Sequence, residues 1–127
     1  MIVVDASVAV LGLLVDGGAR RLLADEQLVA PHLIDVEVLH VLRRQVRRGR
    51  LEAGAGRDAV RAWSRLGVER VAIVGLLDRM WALRDNVTAY DASYVALAEA
   101  LDCTLVTADA RLGGAPGPTC AVTVVRS

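Results

Sequence analysis

Met1-Ile-Val-Val-Asp-Ala-Ser-Val-Ala-Val-Leu-Gly-Leu-Leu-Val15 decides how this chain is read. Its apolar density imitates the core of a secretory leader. Two details oppose that reading: no basic residue precedes the apolar run, and Asp5 sits inside it. A carboxylate at that depth would weaken membrane insertion by about 3 kcal/mol. The better reading is a buried strand, a sharp turn and a helix. Ile2–Val4 is the β-branched run of a parallel strand covered on both faces. Asp5 ends it, Ser7–Leu14 is helical, and Gly17-Gly18 interrupts the helix. The expectation is a cytoplasmic chain with no targeting segment and no membrane span.

The same alternation continues outward from this stretch. Helices are predicted over Ala19–Asp25, Leu33–Arg48, Leu51–Leu66, Leu76–Arg84 and Ala89–Leu101, with Gly49 where a glycine just past a helix end belongs. Strands are predicted over Leu28–Ala30, Val68–Val74, Thr104–Val106 and Ala121–Val125. The helix over Ala89–Leu101 is nearly all apolar, so both sides of it should be covered. The Gly113–Pro118 stretch is a loop. The 127 residues fit one domain, 1–127. Strands alternating with helices predict an α/β fold: an open, mostly parallel sheet of five strands with helices on both faces. In such sheets the site forms at the carboxyl ends of the strands, near the switch in strand order.

Composition narrows the chemistry. Fifteen basic residues balance fifteen acidic ones, and every base is arginine. Without lysine there is no P-loop, no Schiff base and no lysine-dependent aspartyl-phosphate switch. Phenylalanine is absent, and Trp63, Trp81, Tyr90 and Tyr94 are the aromatics, too few for an extended base-stacking platform. Cys103 and Cys120, far in sequence from His32 and His40, do not make a zinc site and are expected to be reduced and packed.

Acidic residues then fall where such a sheet would place a site. Asp5 follows the first strand and Asp109 follows the fourth, with Asp91 opening the apolar helix between the third and fourth strands. Glu37 lies inside a helix among Val36, Val38, Leu39 and Val41. Each has a structural alternative: Asp5, Asp91 and Asp109 as helix caps, Glu37 as a solvent-facing or Arg44-paired residue. Asp35 has the plain role of a carboxylate in the first turn of a helix. Joint placement is harder to explain structurally. Two like charges about 4 Å apart cost about 4 kcal/mol at an effective dielectric of about 20. A divalent hard cation relieves that, and an all-oxygen donor set suits Mg²⁺ or Mn²⁺ rather than Zn²⁺. Ser7 and Thr107 place hydroxyls near Asp5 and Asp109, either to support those carboxylates or as ordinary helix-start and strand-end residues.

These blocks carry a resemblance. Ile2-Val-Val-Asp-Ala-Ser-Val8, Pro31 followed six residues later by Glu37, Tyr90-Asp-Ala-Ser-Tyr-Val-Ala-Leu-Ala-Glu99 and Leu105-Val-Thr-Ala-Asp109 resemble the PIN-domain family, specifically the VapC-type toxins of type II toxin–antitoxin modules. The resemblance implies a three-layer α/β/α fold and a Mg²⁺- or Mn²⁺-dependent endoribonuclease. It also implies a homodimer neutralised by a small cognate VapB-like antitoxin. Asp5, Glu37, Asp91 and Asp109 fall on the family's acidic positions. The chain departs from the pattern in the Gly/Pro-rich loop after Asp109.

The implied mechanism is hydrolysis by metal-activated water, leaving a 5′-phosphate and a 3′-hydroxyl. Asp5, Asp91 and Asp109 are the expected ligands, and Glu37 either ligates or takes a proton from the water. His40 is expected to be a packed or surface residue. From Arg43 to Arg70 nine arginines face Glu52, Asp58 and Glu69, and Arg43 and Arg47 are the expected RNA contacts, on structured RNA read by shape. A partner's arginine is expected to close the acidic pocket by bidentate pairing. Two rivals remain at this stage. An aspartate-nucleophile phosphatase needs a second Asp where Ser7 stands, and a lysine; a non-catalytic RNA- or partner-binding domain would not need the full acidic set.

Overall fold

The computed structural model describes residues 1–126. The strands are β1 (Ile2–Val4), β2 (Leu28–Pro31), β3 (Val68–Val71), β4 (Thr104–Thr107) and β5 (Val122–Val124), and they form one sheet in the order β3-β2-β1-β4-β5. Every pairing is parallel, so the mostly parallel expectation resolves to a wholly parallel sheet. Central β1 pairs through Ile2 with Leu28 on one side and Thr104 on the other. Its three residues are all buried, as the unbroken β-branched run requires. The chain fills one side of β1 first and then returns to build the other. The order therefore reverses between β1 and β4, which opens a crevice at their carboxyl ends.

The helices are α1 (Ala6–Leu14), α2 (Gly18–Asp25), α3 (Ile34–Arg47), α4 (Ala53–Arg65), α5 (Leu77–Ala82), α6 (Ala89–Leu101) and α7 (Ala110–Gly113). Helix α1 packs on α2, α3 and α4, while α6 packs on α5 and across β1, β2 and β4. Right-handed crossovers place these two groups on opposite faces of the sheet. The layering is α/β/α. The apolar reading of α6 holds for its middle, where Ala92 through Ala98 are buried without a break, while Tyr90 and Leu101 near its ends are exposed.

Several boundaries differ from expectation, most by one residue and a few by more. The strand expected to reach Val74 stops at Val71, because Val71 pairs with Pro31, the last residue of β2. Val74 instead enters a 3₁₀ turn, Val74–Leu76, and the helix expected over Leu76–Arg84 contracts to Leu77–Ala82. Helix α4 starts at Ala53, two residues later than predicted. At the end of α3 the predicted glycine does its work: Gly49 has φ +70°, its N–H donates to Val46 at 3.0 Å, and Arg50 N–H donates to Gln45 at 2.9 Å. Those two bonds satisfy carbonyls the helix leaves open. Both cysteines are free and half-buried.

Two ion pairs brace the frame around the crevice. Asp35 accepts from Trp63 Nε1 at 2.8 Å and from Arg70 Nε and Nη2 at 3.0 and 2.8 Å, tying α3 to α4 and β3. Near the end of α6, Glu99 accepts from Arg79 Nε at 2.6 Å and from the Thr119 N–H at 2.7 Å, which anchors the Gly/Pro-rich loop. The Arg79 guanidinium and the Thr119 donors hold the Glu99 carboxyl down at about 2. Glu99→Gln is expected to destabilise the protein by about 1–2 kcal/mol at neutral pH. The ionised form contributes its stability above the ordinary value of 4.5 and loses it as pH falls from there towards about 2. Urea denaturation should therefore show the gap between the two proteins narrowing below about pH 4.5.

Candidate active site

Asp5 stands at the end of β1, 6 % exposed, in the crevice between β1 and β4. Its Oδ1 caps α1, accepting from the Val8 N–H at 3.1 Å, and also accepts from Ser7 Oγ at 2.6 Å. Its Oδ2 accepts a short hydrogen bond from Thr107 Oγ1. The structural and functional readings of Asp5 are thus compatible: capping uses one oxygen in one direction. Ser7 and Thr107, both singled out in the sequence, converge here. Ser7 Oγ accepts from the Ala108 N–H at 2.9 Å, and Thr107 Oγ1 accepts from the Asp109 N–H at 3.0 Å. The two hydroxyls therefore join the start of α1 to the strand end that carries Asp109.

The other three carboxylates reach the same edge from three different elements. Glu37 lies in the first turn of α3, and its Oε1 accepts from Tyr94 Oη at 2.7 Å rather than from Arg44. Tyr94 lies on α6, one turn beyond Asp91, so this single bond joins helices from opposite faces over the sheet edge. Asp91 sits in the first turn of α6, its own N–H capped by Thr88 Oγ1 at 3.1 Å. Asp109 begins α7, where its Oδ1 accepts from the Arg111 N–H at 3.0 Å. The Arg111 guanidinium lies against the same carboxylate, with Nη2 3.0 Å from Oδ2.

The four carboxylates feel one another. Burial raises the pKa of Asp5, against the pull of Ser7, Thr107 and Val8, and the charge on Asp109 adds to the rise. Burial also raises Glu37, with Asp5 and Asp91 pushing the same way. Asp91 is raised by burial and by the charges of Asp5 and Asp109. Asp109 alone goes down, because Arg111 is bound to it. The donors are all carboxylate oxygens, and three of the four groups are strained towards protonation, which is the condition a hard cation relieves. Among the described residues no three of these side chains already stand close enough to hold one ion. A hydrated ion held by one or two carboxylates, with water filling the other positions, fits this donor set.

A hollow lies on either side of the nest. One, of about 510 Å³, is bordered by Asp91 and Asp109 with Arg84 and Arg111 at its rim. The other, of about 550 Å³, is bordered by Glu37, His40, Arg44 and Tyr90. Arg43 and Arg47 are elsewhere, in the groove between α3 and α4. Helical period explains the difference: Arg44, seven residues after Glu37, returns to its face, while Arg43 and Arg47 turn towards α4. That period was the available signal for Arg44. The i,i+3 spacing of Asp91 and Tyr94 was the signal for Tyr94. Arg84 and Arg111 had no comparable mark beyond the two-residue spacing of Arg111 from Asp109.

Comparison with known proteins identifies the family and the fold. The PIN domain family matches residues 2–117, and the chain belongs to that family. Within it the likeness is to VapC proteins, which makes this a VapC-type member. Ribonuclease VapC9 of Mycobacterium tuberculosis is 56% identical over 125 residues, covering 98% of both chains. Ribonuclease VapC1 of the same species is 43% identical over 98% of this chain and 97% of its own. Among solved structures, PAE2754 of Pyrobaculum aerophilum superposes with a TM-score of 0.70 at 28% identity, over 95% of this chain and 81% of that one. The VapC20 toxin of M. tuberculosis, described as cleaving the sarcin–ricin loop, shares the fold with a TM-score of 0.62 at 23% identity, over 90% of this chain and 94% of its own.

A nest of mutually repelling acids should weaken the fold it sits in. The folded state raises the Asp5 pKa, so stability is lost as pH rises from the ordinary 3.8 through the folded value. Asp5→Asn removes that loss, and the Ser7 and Thr107 hydroxyls can rotate to pair with the amide. In chelator, the variant is expected to be more stable than wild type at pH 7.5 and to lose that advantage as pH falls towards about 4. Urea midpoints at the two pH values check it.

Proposed function

We propose that this chain is the toxin of a type II toxin–antitoxin module, an endoribonuclease that hydrolyses RNA phosphodiester bonds with Mg²⁺ or Mn²⁺ at the nest. The reading is carried by one observation: Asp5, Glu37, Asp91 and Asp109 surround the carboxyl ends of β1 and β4, near enough for burial and neighbouring negative charge to push Asp5, Glu37 and Asp91 towards protonation. The VapC ribonucleases that resemble the chain over nearly its full length support it. Asp5, Asp91 and Asp109 would hold the cation directly or through water. When bound, the cation would lower the pKa of a water and offset charge on the phosphoryl oxygens.

The protein's own residues do the rest. Ser7 and Thr107 fix the Asp5 carboxylate from both oxygens. Glu37, oriented by Tyr94 and with a raised pKa, takes the proton of the attacking water. The alternative role of Glu37 as a further ligand would use the same orientation. Arg84 and Arg111 at the rim of the adjoining hollow face the charge on the RNA backbone. Attack by water leaves a 5′-phosphate and a 3′-hydroxyl.

The partners follow from the same chemistry. A cognate antitoxin would close the site by placing an arginine on the carboxylates. Arg111 on Asp109 supports this, since a guanidinium already fits one of them. We also propose that the chain works as a homodimer, supported by the exposed apolar side chains of Val74, Leu77 and Trp81. Sedimentation should then read twice the mass of the 13.5 kDa chain.

Brief expression followed by mapping of RNA ends tests the activity. Cuts bearing 5′-phosphates are expected, abolished by chelator and restored by Mg²⁺ or Mn²⁺. Asp5→Asn and Glu37→Gln should each slow cleavage by at least about 100-fold. Cleavage that survives chelation, or that leaves cyclic phosphates, would overturn the reading.

A further inference from the structure

We infer that the hollow on the Glu37 side of the nest is a nucleobase subsite, in which Tyr90 stacks on a base flanking the scissile phosphate and Arg44 holds the adjoining backbone. The inference rests on the ribonuclease reading and adds to it where the strand is gripped. Tyr90 precedes Asp91 directly, yet its ring is out of the core, the residue being 59 % exposed. It forms one wall of a space of about 550 Å³, within the ~300–1,000 Å³ of small-ligand sites. Leu33, Val36 and Val41 add apolar lining to that space. Arg44 and His40 line the same space, and Arg44 makes no ion pair among the described residues. Glu37 borders both the hollow and the nest.

These features name one occupant. A flat apolar-faced ring suits a space lined by Tyr90 and aliphatic side chains, and an anionic backbone next to that ring meets the Arg44 guanidinium. The opposite hollow carries Arg84 and Arg111 beside Asp85, Asp91 and Asp109 and no aromatic side chain, so it offers a base no stacking partner. An RNA strand crossing the nest would thus be held asymmetrically, by a base on the Tyr90 side and by backbone on the other. One exposed tyrosine suffices for one base, which is how a protein poor in aromatics still reads a position.

The test pairs protein variants with RNA variants. The RNAs are short oligonucleotides spanning a mapped cut, intact or abasic at one flanking nucleotide. Wild type is expected to lose about tenfold in kcat/KM on one of the abasic RNAs, the low end for removing a base–aromatic stack. Tyr90→Ala should lose about the same on intact RNA and nothing further on that abasic one, while Tyr90→Phe behaves as wild type. Arg44→Ala should raise KM and lower the salt slope of binding by about one.

A second arm needs no cleavage. 2-Aminopurine at the sensitive position should be quenched on binding Asp5→Asn protein and not on binding the Asp5→Asn/Tyr90→Ala double variant. For this arm, an RNA set with the fluorophore moved along the strand locates the position independently of turnover. Tyr90→Ala that discriminates abasic RNA as wild type does, or equal quenching in both proteins, would overturn the subsite. So would a Tyr90→Ala defect confined to antitoxin binding, which would make the hollow a peptide groove. Loss of all chelator-sensitive cleavage in wild type would sink the ribonuclease reading, with the quenching arm still deciding the subsite.

Discussion

A carboxylate nine-tenths buried at the end of a central β-strand is costly unless every one of its oxygens is met, and Asp5 meets that condition with donors from both ends of the sequence. Ser7 and the Val8 N–H come from the next helix, and Thr107 comes from the neighbouring strand a hundred residues later. These bonds do two things at once. They start α1 and they lock the ends of β1 and β4 together at the point where strand order reverses. The crevice therefore has a fixed floor, and the charge on that floor is what the surrounding acids have to live with.

Around Asp5 the other carboxylates are handled in two different ways. Asp109 is neutralised within the chain by Arg111, and its pKa falls. Neither Glu37 nor Asp91 has a cation bound to it among the described residues, and although Arg111 pulls Asp91 down a little, burial with neighbouring negative charge leaves both high. The difference leaves one carboxylate paired within the chain and two without a bound partner cation. It also explains why the arginines matter so much in a chain without lysine: a planar guanidinium can sit on a carboxylate, hold a phosphate, or be displaced from one to the other. Tyr94 supplies the remaining constraint. By holding Glu37 it makes the position of an α3 side chain depend on α6, so the site is complete only when both layers of helices are seated on the sheet.

Much of this was legible before folding. The β-branched run at Ile2–Val4, the apolar helix over Ala89–Leu101 and the glycine after α3 each depend on neighbours in sequence, and each appears where its pattern puts it. The strand expected to reach Val74 does not, because strand length is limited by the partner, and β2 runs out at Pro31. The site divides in the same manner. The acids after strands were visible as acids after strands. Ser7, Thr107 and the Thr88 cap of Asp91 were legible as partners too, but Tyr94 was not, because it meets Glu37 across a separation of 57 residues. The basic stretch pointed to Arg43 and Arg47, yet helical phase turns these towards α4 and leaves Arg44 beside Glu37.

By itself the sequence determined the alternation of strands and helices and the placing of Asp5 and Asp109 just past two of the strands. It also determined, by lacking lysine, that any cationic grip would be arginine. Those are consequences of local periodicity and residue chemistry, which need no knowledge of distant contacts. Tertiary structure alone decided that β1 lies beside β4, that Tyr94 orients Glu37, that Arg111 rests on Asp109, and that Tyr90 faces a hollow instead of the core. Each of these is set by how separate elements pack on a common sheet, and packing between elements far apart in the chain leaves no periodic trace in either one.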